Sequence, residues 1–122
     1  MNIINYYAVP GLIREGFKKN PENIIELVCE KTGVPWKKIK GSRGKDEILM
    51  ARHMCTYLLL KYTNVTQVEV GKLINRKHSG ISRTQKKFID HIYTNKEISQ
   101  KIEEISRIIE NKLPCDTSKL QN

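Results

Sequence analysis

Apolar residues recur along this chain at three- and four-residue steps, in successive stretches bounded by residues suited to start or stop a helix. The first such stretch opens with Asn20 as a cap and Pro21 at the first helical position, where a missing N–H costs nothing. Ile24, Ile25, Leu27 and Val28 supply its inward stripe, and Gly33 can end it in a left-handed conformation. Val34-Pro35-Trp36 then turns the chain, with Trp36 expected to pack as core or hinge in preference to stacking on a base. Asp46 to Tyr62 carries Ile48, Ala51, Cys55, Leu58, Leu59 and Tyr62 at helical spacing and is the expected spine, with Asp46 and Glu47 suiting the positive end of its dipole. Thr66-Gln67-Val68-Glu69 matches a capping box and opens a helix to about Ile74, with Val70, Leu73 and Ile74 inward. Gly71 inside it costs ~1 kcal/mol against alanine and marks close approach of a neighbouring helix. Asn75-Arg76 turns the chain. The next helix runs from about Lys77 to Tyr93, packing through Ile81, Phe88 and Ile92 with Thr84 and Gln85 on its flank. A second capping box, Thr94-Asn95-Lys96-Glu97, starts a last helix with Ile98, Ile102, Ile105, Ile108 and Ile109 on one face, ending near Leu113 and Pro114.

The pattern predicts an all-α domain of about five to six helices. A short helix, a tight turn and a longer helix between Thr66 and Tyr93 form the helix-turn-helix pattern. A chain of 122 residues is one domain's worth, enough for a single modest core. Residues 1–20 read as an N-terminal arm, with a turn signal at Pro10-Gly11, a helical turn or two over Leu12 to Lys19, and Tyr6, Tyr7 and Phe17 placed to pack on the domain or on a partner. Residues 21–113 form the domain, and 114–122 are a polar tail expected to be disordered.

Charge sharpens the picture. The formal net charge is +9, yet Lys31 to Lys87 holds ten lysines and four arginines against only Asp46, Glu47 and Glu69. The cationic surplus thus sits wholly on the central block, as expected when one face must meet phosphates. A merely solubilising surface is the duller reading, but the concentration in one block interleaved with helix breaks favours nucleic acid. Lys37 to Lys45 reads as a loop with five cations (Lys37, Lys38, Lys40, Arg43 and Lys45) and two glycines, Gly41 and Gly44. It is not a nucleotide-binding P-loop, because the G-x-x-x-x-G-K-[ST] spacing is absent. Arg52 lies off the apolar face of the spine and can point back towards this loop, a surface salt bridge being its alternative.

In a helix-turn-helix the second helix enters the major groove with its first residues at the base edges. Those residues are Arg76, Lys77, His78 and Ser79, followed a turn later by Ser82 and Arg83. Arginine can pair bidentately with guanine, serine or histidine can bond base edges or phosphate, and N–H groups at a helix start can cap a phosphate.

Val70-Gly71 and Arg76-Lys77-His78-Ser79-Gly80-Ile81, with Ile48-Leu49-Met50-Ala51-Arg52-His53-Met54 ahead of them, resemble the C-terminal DNA-binding domain of the bacterial replication initiator DnaA. The resemblance covers roughly Glu22 to Leu113. It implies a helix-turn-helix domain of that type, with DNA-contacting roles for Arg76, His78 and Ser79, and a phosphate contact for Arg52. It also implies a backbone- and minor-groove-contacting loop, in which Arg43 is the minor-groove candidate, Lys45 a phosphate contact, and Lys40 lies alongside. Lys77 stands where the family has an Asp that contacts bases, Gly80 where it has a Thr, and His53 where Gln is usual. Exchanging an acceptor for a cation at a base edge moves preference from cytosine's amino group towards guanine or phosphate, so no strong preference for the usual initiator box is expected. The resemblance reaches only the DNA-reading end of the initiator and implies neither ATP binding nor strand opening.

The expected partner is double-stranded DNA, with replication or regulatory proteins through the arm, and neither nucleotide nor cofactor. Catalysis lacks a nucleophile–base pair, and His53-Met54-Cys55 is a poor metal site because residues two apart on a helix face different ways. Cys29, Cys55 and Cys115 lack CxxC spacing and are expected to be thiols in a reducing cytoplasm, with Cys29 and Cys55 as small core residues. Met1 to Asn5 does not resemble a signal peptide, and no apolar stretch nears the ~20 residues of a membrane span, so a soluble cytoplasmic chain is expected. The rival readings are an RNA binder, which would need aromatic stacking platforms, and a module docking an acidic protein partner.

Overall fold

The computed structural model describes residues 19–41 and 44–113, which are built from six helices. In chain order these are α1 (Pro21–Thr32), α2 (Trp36–Ile39), α3 (Asp46–Tyr62), α4 (Gln67–Ile74), α5 (His78–Thr94) and α6 (Lys96–Lys112). The fold is all-α, as the periodicity predicts. The expectations for Met1 to Lys18, for Arg43 and for the tail after Leu113 lie outside the described residues.

Helix boundaries follow local capping chemistry. The Asn20 side chain accepts the Glu22 N–H at 2.8 Å, and Gly33, at φ 74°, closes α1 by donating its N–H to the Cys29 carbonyl. At α4 both halves of the capping box form: Glu69 N–H donates to Thr66 Oγ1 at 3.1 Å, and Thr66 N–H to the Glu69 carboxylate at 2.8 Å. Two boundaries differ from expectation. Lys37, Lys38 and Ile39 belong to the helical turn α2, because Pro35 sets an extended start and Ile39 is drawn fully into the core. The cationic loop therefore narrows to the stretch after Ile39. At α6 the cap is Asn95, whose side chain accepts the Ile98 N–H at 3.2 Å, while Thr94 finishes α5 and donates to the Asp90 carbonyl.

α3 is the spine, packed against α1, α2, α4 and α5. From Ala51 to Leu60 every residue except His53 is buried, wider than one amphipathic stripe, because neighbours enclose the helix on several sides. Tyr57 and Phe88 meet edge to face at 5.8 Å between ring centroids, joining α3 to α5. α6 lays Ile98, Ile102, Ile105 and Ile109 into the same core, against α5 and α1. Gln85, expected on a flank, is buried and donates to the His53 carbonyl at 3.4 Å. Cys55 is a small core residue whose thiol burial pushes up to about 12. The two sides of the domain's chain meet at one place: Lys19 N–H donates to the Tyr62 carbonyl at 2.7 Å, and its Nζ to the Leu113 carbonyl at 3.0 Å.

Candidate nucleic-acid interface

The turn between α4 and α5 is closed by Gly71. Its carbonyl accepts the Asn75 N–H and, at 2.7 Å, the Arg76 N–H. Asn75 makes this possible by taking a left-handed conformation (φ 63°), which asparagine tolerates better than most residues. A Cβ on Gly71 would lie 2.5 Å from the Arg76 carbonyl oxygen and 3.3 Å from Ile81 Cδ1. The close approach expected at this glycine is thus chiefly its own turn folding back over it.

α5 begins with Lys77 as N-cap, and no side chain caps it. Lys77, Ser79, Gly80 and Arg83 are exposed and Ser82 is half-buried, whereas Ile81, Gln85 and Phe88 face the core. The side chain of His78 lies outside the described residues. α3 also starts on an uncapped lysine, Lys45, in contrast to the Asn20, Thr66 and Asn95 caps of α1, α4 and α6. Lysine cannot accept from the first N–H groups, so the start of α5, with no acidic residue in its first turn, favours an anion from outside. At the start of α3, by contrast, Asp46 and Glu47 already meet the dipole. Lys40 and Lys45 are exposed beside this surface, with the Lys40 ammonium 5.8 Å from the Trp36 ring centroid. Trp36 itself is half-buried against the core.

The two arginines at the centre of the site both bond to backbone carbonyls of the loop region. Arg52 is only 4% exposed: its Nε donates to the Ile39 carbonyl at 2.7 Å, and its Nη2 lies 3.3 Å from the Lys38 carbonyl and 3.2 Å from that of Gly41. It turns back towards the loop, as expected, with its guanidinium buried against those carbonyls. Arg76 is half-buried, its Nη2 donating to the Gly41 carbonyl at 2.7 Å and its Nη1 to that of Asn75 at 2.9 Å. Its fork thus bridges the helix-turn-helix and the loop. Sequence reading also missed Leu49, an exposed apolar residue near the start of α3 that lines a shallow hollow with Ile74, Lys77, Gly80, Ile81 and Thr84. Leu49 falls outside the inward stripe of Ile48, Ala51 and Cys55, and that offset was the available signal.

His53 adjoins the same hollow, with its ring 5.9 Å from that of Phe88. Burial, then the charges of Arg52 and His91, hold its pKa below the ordinary 6.5. A histidine lowered in the folded state binds its proton more readily when unfolded, so its contribution is full above pH 6.5 and is lost as pH falls from there through its folded value. Stability should accordingly decline on acidification below about 6.5, and His53→Gln should flatten that decline in denaturant titrations. An unchanged pH profile in the variant would remove His53 from the account.

Residues 21–88 match the family described as bacterial dnaA protein helix-turn-helix, more than half of the chain. The chain belongs to this family. Similar proteins include the chromosomal replication initiator protein DnaA of Leptospira biflexa, 35% identical over 75 residues that make up 62% of this chain and 17% of that protein. The DnaA of Borreliella burgdorferi is 36% identical over 72% of this chain and 18% of its own length. That of Mycoplasma genitalium is 30% identical over 66% and 20%. The chain therefore spans about a fifth or less of the curated relatives it matches. The family is a DNA-binding module, and the DnaA-type helix-turn-helix corresponds here to α4, the Asn75-Arg76 turn and α5. Among the described residues no group of three or more His, Cys, Asp or Glu side chains suits a metal ion, and no helix is long and apolar enough to cross a membrane.

Proposed function

We propose that this chain binds double-stranded DNA with sequence preference, in the control of replication initiation or of transcription. The start of α5 enters the major groove in this reading, with Lys77, His78, Ser79, Ser82 and Arg83 towards bases and adjacent phosphates. Lys40 and Lys45, with Arg43 as the minor-groove candidate, grip the backbone from the loop. The observation that carries the reading is the 2.7 Å hydrogen bond from Arg76 to the Gly41 carbonyl, which puts the cationic loop beside the exposed first turn of α5. One duplex can meet both at once. Membership in a DNA-binding family supports the same reading, and the role in replication is suggested by relatives named as chromosomal replication initiators.

The test is selection from random duplexes, followed by anisotropy titrations of the selected site and a scrambled control over a range of salt. With about six phosphates neutralised, log affinity should fall against log salt with a slope of about −5. Lys45→Ala should weaken both duplexes about equally and flatten the slope by about 1, whereas His78→Ala should narrow the gap between them. Equal binding of selected and scrambled duplexes, or affinity indifferent to salt, would overturn the proposal.

A further inference from the structure

We propose that Arg52 and Arg76 are positioning residues that fasten the cationic loop to the helix-turn-helix, so that loop and recognition helix meet DNA as one preset body. The inference rests on the DNA-binding reading for its purpose, but its geometry stands in the protein alone. Four contacts carry it. Arg52 reaches the carbonyls of Ile39, Lys38 and Gly41, the residues that lead from α2 into the loop. Arg76, immediately ahead of α5, donates to the same Gly41 carbonyl. One carbonyl oxygen, with two lone pairs, accepts from two guanidinium groups, one on α3 and one in the turn ahead of α5. The loop is thereby tied at a single point both to the spine and to the reading head.

The electrostatics agree. Burial, then the charge of Arg76, lowers the pKa of Arg52, as expected when two cations are brought together. Holding like charges side by side is unfavourable unless shared acceptors offset the repulsion, and the carbonyls of the loop do so. Arginine suits the task because its planar fork presents several donors in fixed directions, whereas lysine offers one compact charge. A phosphate contact would need neither the burial of Arg52 nor its three carbonyl partners. Ordering the loop before DNA arrives removes an entropic cost from binding.

The distinguishing experiment is a double-mutant cycle on duplex affinity. Arg52→Lys keeps the charge, so a phosphate-contacting role predicts binding within about threefold of the parent and an undiminished penalty for Lys40→Ala. The positioning role predicts that Arg52→Lys loses about tenfold, and that Lys40→Ala then costs little more, because Lys40, between the held carbonyls of Ile39 and Gly41, is no longer in register. Additive losses overturn the proposal. A second measurement omits DNA: amide exchange at Lys40 and Gly41, whose N–H groups donate to the carbonyls of Trp36 and Lys38, should quicken in Arg76→Lys while the middle of α6 is unchanged. Unaltered exchange at those amides overturns the proposal even if Arg52→Lys fails to fold. Absence of duplex binding by the parent protein would sink the functional reading instead and leave the exchange result to judge the fastening.

Discussion

Gly71→Val is expected to cost about 2–3 kcal/mol of stability and to reduce DNA binding beyond what the lost stability explains. The reason is local. A Cβ at this position would stand 2.5 Å from the Arg76 carbonyl oxygen, an approach that real side chains do not tolerate, and its further methyls would press on Ile81, only 3.3 Å away. The turn cannot yield freely, because the Gly71 carbonyl holds both the Asn75 and Arg76 N–H groups and a shift would break them. Relief must come from moving Arg76, which displaces the start of α5 and the grip on Gly41 together. Gly71→Ala should show the same sign with a smaller size, since the ~1 kcal/mol that alanine gains in helix propensity works against the clash. Thermal or denaturant unfolding checks the first part, and a comparison of DNA affinity well below the unfolding transition checks the second. A Gly71→Ala variant as stable as the parent would show that the turn relaxes without cost.

Lys77→Asp is expected to do two things in opposite spirit: to stabilise the protein and to change which DNA it prefers. As N-cap of α5, Lys77 has extended dihedrals (φ −77°, ψ 141°) and leaves the first N–H groups without a side-chain acceptor. Aspartate there can accept from the first turn and carries the charge the helix dipole favours, together worth about 1 kcal/mol. The same replacement installs the residue type that the family resemblance implies for this position. A carboxylate at a base edge accepts from cytosine's amino group, so preference should move towards the usual initiator box, by about tenfold or more against the site selected by the parent. Loss of one cation should also weaken binding to every duplex and flatten the salt dependence. Melting curves and competition between the two sites measure both effects. If the variant keeps the parent's preferred site, position 77 does not touch bases.

The parts of the fold that were legible from sequence are those whose chemistry is local. Asn20-Pro21 and Thr66 with Glu69 announce helix starts within a few residues, and those starts fall where expected. The long apolar periodicity of Asp46 to Tyr62 gives the spine with both bounds. α2 escaped because four residues carry no period and two of them are lysines; only the burial of Ile39 reveals the turn. Thr94 and Asn95 are both good caps, and sequence alone does not decide between neighbours competing for one helix start. The candidate site divides the same way. Exposure at the start of α5 followed from the helix-turn-helix pattern, but the partners of Arg52 and Arg76 did not. They bond to backbone carbonyls, and every residue has one, so no side-chain pattern points to Gly41.

The meeting of Lys19 with Tyr62 and Leu113 has a practical corollary. α3 is 17 residues long, so Tyr62 lies about 25 Å from Asp46, where the loop feeds into the spine. Both flanks of the domain are joined at the end of α3 opposite the loop. A dye attached at Leu113 itself is therefore expected to stand clear of a double helix approaching the start of α3.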